Sequence, residues 1–241
     1  MIVLKYFIWF ILFGFMGWVY ESLAMTIWTG KWENRGFLFG PLIPIYGFGA
    51  IALTIVLSIY HLGNLQVFIL SVLGSVILEM STSILLEKLF HAYWWDYSGV
   101  PLNFQGRICL PASLGFGIAG LIVRDICLPI AIKVTSHMSS ITLQVIALLL
   151  AGLLAADTAT TVSDLVNFDS KVKYVMTRFD SKISLAVENI KMVAGRKQRS
   201  TLRRIKGFKI KDKKQYNFIT ALMNKIRSMR QEGDTNEVKR C

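Results

Sequence analysis

Leu65–Phe90 reads LQVFILSVLGSVILEMSTSILLEKLF, with no charged residue before Glu79. About 20 mainly apolar residues suffice for a helix to cross the hydrocarbon of a bilayer. The polar residues of this run are ordered: Ser71, Ser75, Glu79, Ser83 and Glu87 recur at every fourth position, which lays them along one slowly drifting helix face. A helix that is apolar elsewhere and carries such a stripe is a membrane helix turned toward other protein. Ordinary helix packing accounts for the serines. It accounts less well for Glu79, because a buried acid without a partner is costly.

Four more apolar runs flank this one: Ile2–Ile27, Pro41–Tyr60, Leu110–Val134 and Ile141–Val162. Arg124, Asp125 and Pro129 interrupt the fourth, so that span ends either near Val123 or at Val134. The chain is 54% hydrophobic, with a mean hydropathy of +0.50, which excludes an ordinary soluble domain. The expected fold is all-α: a polytopic membrane helix bundle of about five transmembrane helices over residues 1–164, with re-entrant-like loops, followed by a basic, partly helical tail over 165–241. The N-terminal run has only Lys5 before it and no small-residue cleavage site, unlike a cleaved signal peptide. Cys109, Cys127 and Cys241 lack metal or disulfide spacing.

The net charge of +12 is unevenly placed. From Leu165 onward 20 Lys and Arg face 7 Asp and Glu, a surplus of 13, which leaves −1 for the rest. Basic residues near span ends mark the cytoplasmic side, so the tail is expected inside and, with five crossings, the N-terminus outside, in a multi-pass protein of the cell membrane. Val172 to Ile190 and Tyr216 to Met229 show amphipathic helical spacing. The basic stretch 196–214 between them is expected to bind anionic lipid headgroups, at about 1 kcal/mol per basic residue near the surface. No fold motif of a nucleic-acid binder accompanies it. The tail is expected to be separable: a chain cut after Asn167 should stay folded and inserted, with weaker affinity for anionic lipid.

Two stretches break the helical pattern at a membrane surface. His91–Arg107, HAYWWDYSGVPLNFQGR, sets Trp94, Trp95 and Tyr97 around Asp96, followed by Asn103 and Arg107. Asn34–Gly49, NRGFLFGPLIPIYGFG, holds Arg35 and Tyr46 between glycines and prolines. Rings at the headgroup level are common, but a belt alone does not call for the charges and amides among them. Irregular backbone at membrane depth is tolerated where it lines a polar cavity. Glu21, Glu79, Glu87 and Asp157 all fall in the cytoplasmic half of their spans. An ionisable group inside a membrane is a functional candidate by default. Arg35 and Arg107 are the candidate partners, able to grip a carboxylate with two bonds. The candidate binding residues are therefore Glu21, Asn34, Arg35, Tyr46, Glu79, Glu87, Trp94, Trp95, Asp96, Tyr97, Asn103, Arg107 and Asp157. Glu21, Glu79, Asp96, Arg35 and Arg107 are expected to converge. Neither a P-loop, an HExxH zinc motif nor a GxSxG elbow is present; no metal site, cofactor or catalytic residue is identified.

GWVYES around Glu21, NRGFLFGPLIPIYGFGA from Asn34, LEKLFHAYWWDYS from Leu86 and PLNFQGRICL from Pro101 resemble the putative ABC-transporter type IV family, CmpB-type. The resemblance covers about the first two thirds of the chain and leaves out the basic tail. It implies a bacterial membrane permease component, with a separate ATPase subunit supplying the energy. The expected function is thus a permease with a polar cavity open to the cytoplasm, with or without assembly into a homo-oligomer. The alternative is a membrane-embedded enzyme whose carboxylates and arginines act on an anionic substrate.

Overall fold

A computed structural model describes residues 1–30, 32, 34–178, 204–208 and 219–225, with the backbone alone for 28, 29, 168–178 and 208. The chain is an all-α polytopic membrane bundle. Its helices are α1 (Ile2–Thr29), α2 (Pro44–Ile59), α3 (Asn64–Phe90), α4 (Leu110–Ile122), α5 (Leu128–Ser136) and α6 (Ser140–Arg178). Among the described residues, four stretches are long and apolar enough to cross a membrane: Ile2–Ile27, Asn64–Phe90, Leu110–Ser136 and Ser140–Asn167.

The second expected span, Pro41–Tyr60, takes a different form. Gly30, at φ 69°, closes α1 by donating its N–H to Thr26 O at 2.9 Å; only glycine takes this left-handed turn without strain. The chain then runs back along α1 in irregular form. The Ile43 N–H reaches the carbonyl of Gly14, midway along α1, at 3.0 Å. Helix α2 starts there, with Pro44 at its first position, where no N–H is needed. Its 16 residues give about 24 Å of helix, short of the roughly 30 Å hydrocarbon core. The stretch expected as a fifth span is therefore a non-helical segment followed by a helix shorter than the four long ones.

Glycines let α1 and α2 meet closely. A Cβ on Gly47 would lie 2.6 Å from both the ring and the carbonyl oxygen of Phe10. Because one of these is backbone, Gly47→Ala is expected to push the helices apart and cost about 1–3 kcal/mol, read as a lower unfolding midpoint in detergent. Trp9, Phe13 and Ala50 bury themselves with Cys127 and Ala131, and Trp9 Nε1 donates to Thr135 Oγ1 at 3.2 Å.

The fourth span continues past Val123 to Ser136, through a π-helical turn at Val123–Cys127. Pro129 has no N–H for the preceding turn, and the wider turn sits where that bond is missing. Arg124 donates to both Asp125 oxygens, at 2.6 and 2.8 Å, and to Asn64 Oδ1 at 2.8 Å. Since Asn64 begins α3, the charged pair lies level with a helix end, which is why an apolar run tolerates it.

The described chain divides into two units. The first comprises Met1–Ile84 and Asp96–Thr158. The second comprises Leu85–Trp95 and the described residues from Ala159 onward. In the second, a strand Ala92–Tyr93 pairs antiparallel with Gly207–Phe208, and the Lys206 N–H donates to Tyr93 O at 2.7 Å. Ala92, Ile205 and Leu222 are fully buried there, with Ile219 and Met223 nearly so. Residues 219–225 are helical, and α6 carries its helix beyond Leu165 to Arg178. Of the expected lipid-binding stretch, 196–203 and 209–214 lie outside the described residues, as do 179–190, 216–218 and 226–229 of the two amphipathic segments.

Candidate functional site

Two carboxylates of the first unit are each held by a tyrosine. Gly17 has no side chain, so the Tyr46 ring lies against α1 at that point. The Tyr46 hydroxyl then donates to Glu21 Oε1, one turn further on, at 3.0 Å. Arg35 Nε approaches Glu21 Oε2 at 3.7 Å, with the two side chains 17% and 31% exposed, so the pair is partly screened and of modest strength. Phe116 of α4 packs its ring against Tyr46, centroids 5.6 Å apart.

Glu79 forms the second pair. It lies on the polar stripe of α3, where Ser75, Glu79 and Ser83 are buried, and it is only 4% exposed. The Tyr97 hydroxyl donates to its Oε1 at 3.0 Å, while Oε2 is buried with no hydrogen-bond partner among the described residues. Burial, and then the Glu79 charge, push the Tyr97 hydroxyl well above the usual tyrosine range. Tyr97 thus stays a donor to Glu79, and the stability this bond contributes is lost only as pH rises beyond that range. The charge of Glu21 also acts on Tyr97 and Glu79. The two Tyr–Glu pairs are thus linked through charge, without a direct hydrogen bond between them among the described residues.

A third carboxylate holds backbone. The N–H groups of Phe39 and Gly40 donate to Asp157 Oδ1 and Oδ2 at 3.0 and 2.8 Å. Asn34 assists by accepting from Trp18 Nε1 at 2.7 Å, and the Arg35 N–H reaches Ser22 Oγ at 3.4 Å. These contacts fix the segment that carries Arg35 beside Glu21 and delivers Tyr46.

Of the residues expected to converge, Glu21 meets Arg35, and Tyr46 joins them. Glu79 meets Tyr97 in a separate contact. Arg107 donates through Nη1 to Ser83 Oγ at 2.8 Å, one turn beyond Glu79. Asp96 does not join them: it is exposed and accepts the Ser98 N–H at 2.9 Å, a local turn typical of aspartate. Asn103 also frames the loop, donating to Val100 O at 2.7 Å and accepting the Gly106 N–H at 3.1 Å. Gly106, at φ 66°, packs against the Asp96 carboxylate where a Cβ would clash. Glu87, Trp94 and Trp95 belong to the second unit, where Trp94 is buried edge-on against Phe90. Among the described residues, no three His, Cys, Asp or Glu side chains are grouped to hold a metal. Phe116, Trp18 and Ser22 were not marked out by the sequence; each lies in a run whose composition gives no sign of its partner.

The family model described as putative ABC-transporter type IV matches residues 8–162, nearly two thirds of the chain. The chain belongs to this family. Neither a curated protein nor a solved structure matches it. The matched stretch of this ABC-transporter type IV member contains both Tyr–Glu pairs, Arg35 and Asp157, and ends before the basic tail. The protein is a transport-related, multi-pass membrane protein.

Proposed function

We propose that this protein is a permease component that works with a separate ATPase subunit and passes its substrate by the Glu21–Tyr46 and Glu79–Tyr97 cluster. What carries this reading is a surplus of carboxylate inside membrane-crossing helices: two acids, one facing arginine, and one carboxylate oxygen left bare. Stability alone does not favour such an arrangement, since burial penalties match or exceed the gain from pairing. An enzyme acting on an anionic substrate would need an arginine presented to the ligand. Arg35 instead faces Glu21 and Arg107 is bonded to Ser83, so this alternative is less well supported.

The test begins with affinity purification of the tagged full chain from its own membrane. An ATPase subunit is expected to co-purify, with an ATP turnover that falls at least about tenfold, or roughly 1.4 kcal/mol, in Glu79→Gln at unchanged subunit ratio. Purification of the intact protein without any ATPase, or full turnover in the variant, would count against the permease reading.

In the proposed orientation the Ser98 loop and the tail are cytoplasmic and the N-terminus is outside. On a background lacking the native cysteines, Ser98→Cys should resist an impermeant thiol reagent in intact cells and react after the cells are opened. Labelling from outside would reverse the orientation.

A further inference from the structure

Glu79 differs from the other acids of the first unit in what its oxygens meet. Glu21 has a tyrosine hydroxyl and an arginine. Asp157 has two backbone N–H groups. Glu79, 4% exposed on a membrane-crossing helix, has one oxygen bonded to Tyr97 and the other buried with no hydrogen-bond partner among the described residues. An ionised carboxylate so placed bears the full cost of its desolvated oxygen, several times that of a neutral hydroxyl in the same position. The groups around it add to the imbalance. From α1 comes the like charge of Glu21, and from the segment after α1 comes Arg35, turned to Glu21. From α2 comes Tyr46, bonded to Glu21; from the loop after α3 come Tyr97 and Arg107, the latter donating to Ser83. Helix α4 contains no titratable residue.

We propose that Glu79 is a proton-binding site: its Oε2 takes up and returns one proton while Oε1 keeps the Tyr97 hydroxyl. The proton comes from bulk water and goes back to it. Tyr97 is not its source, because its hydroxyl is held protonated by burial and by Glu79 itself. Glu21 and Glu79 then share one negative charge at rest. A cationic ligand arriving at Glu21 would offset the field that favours the proton and release it from Glu79, which links ligand entry to proton movement. This deepens the permease reading of the same cluster, but the site can be measured without transport.

The probe is dicyclohexylcarbodiimide, an apolar reagent that reacts with carboxyl groups in their protonated form. The acid O–H adds across one C=N bond and the acyl group then migrates to nitrogen, so the adduct gains one whole reagent and nothing leaves. The full chain, reconstituted in lipid nanodiscs, is treated across a pH series and the modified residue is located by peptide mass spectrometry. The adduct is expected at Glu79 at neutral pH, with its formation rate falling about tenfold per pH unit above a midpoint, as for a single proton. Glu21→Gln should move that midpoint to lower pH by removing the like charge. No adduct at Glu79, or a rate independent of pH, overturns the proposal. So does full protection by sodium or potassium chloride at constant ionic strength, which would make the site one for a metal cation. If the adduct forms as expected but no ATPase co-purifies, the proton site stands and the permease reading falls.

Discussion

Asp157→Ala is expected to lower the stability of the membrane unit by about 2–4 kcal/mol, because it removes the acceptor of two backbone N–H groups, each worth roughly 1–3 kcal/mol when stranded. The Phe39 and Gly40 amides both end on this carboxylate, in a segment that has no helix or sheet of its own to satisfy them. The same segment makes the Ile43 to Gly14 bond that starts α2 midway along α1, so its release should loosen both Arg35 and Tyr46 around Glu21. Asp157→Asn keeps the shape but offers one acceptor in place of two, and about half of the loss should return. Unfolding in detergent gives the magnitude, and hydrogen exchange at residues 39 and 40 gives the location. Unchanged protection of those two amides would show that Asp157 does not hold the segment. Gly40 tests the contact from the other side, since a Cβ there would sit 2.8 Å from Asp157 Oδ2.

That segment also marks where the sequence stops being informative. Long apolar runs announce membrane helices because nothing else satisfies the backbone in lipid, and the four long spans follow from that alone. Pro41–Tyr60 looks like a fifth because Leu42 and Ile43 are as apolar as any helical residue. The Ile43 N–H instead ends on Gly14 O and the amides just before it, of Phe39 and Gly40, on Asp157, more than a hundred positions away, and periodicity has no access to such partners. The stripe on α3 was legible for a simple reason: residues spaced by four need only the helix itself to align them. Its buried members Ser75, Glu79 and Ser83 were all in view. Tyr46 and Tyr97 were also named as candidates, but their pairing with the two acids was not, since they reach them from 25 and 18 positions along the chain. Asp96 misled for the opposite reason. Its aromatic neighbours suggested a shared site, but an aspartate two residues before a free N–H closes a local turn at little entropic cost.

Removing residues 204–241 is expected to have its effect within the second unit. The deletion takes away the strand Gly207–Phe208, the 2.7 Å bond from the Lys206 N–H to Tyr93 O, and the buried side chains of Ile205, Ile219, Leu222 and Met223. Burial of one such side chain is worth about 1.5–3 kcal/mol, so four bring up to roughly 6–12 kcal/mol, an upper bound set by the extended-chain reference. The strand Ala92–Tyr93 would then present an unpaired edge, which promotes association between chains. Hydrogen exchange should show residues 92 and 93 losing protection, with self-association of the purified protein rising in parallel. Trp9 to Thr135 and Tyr97 to Glu79 join residues that the deletion leaves in place, so both bonds should persist and the chain should still insert. This keeps the expectation that the membrane helices do not need the tail, and confines the damage to the strand that the tail covers. A chain lacking only 226–241 retains the strand and all four buried side chains, and its residues 92 and 93 should stay protected. Equal protection in both shortened chains would mean that the tail strand contributes nothing to the fold of the loop.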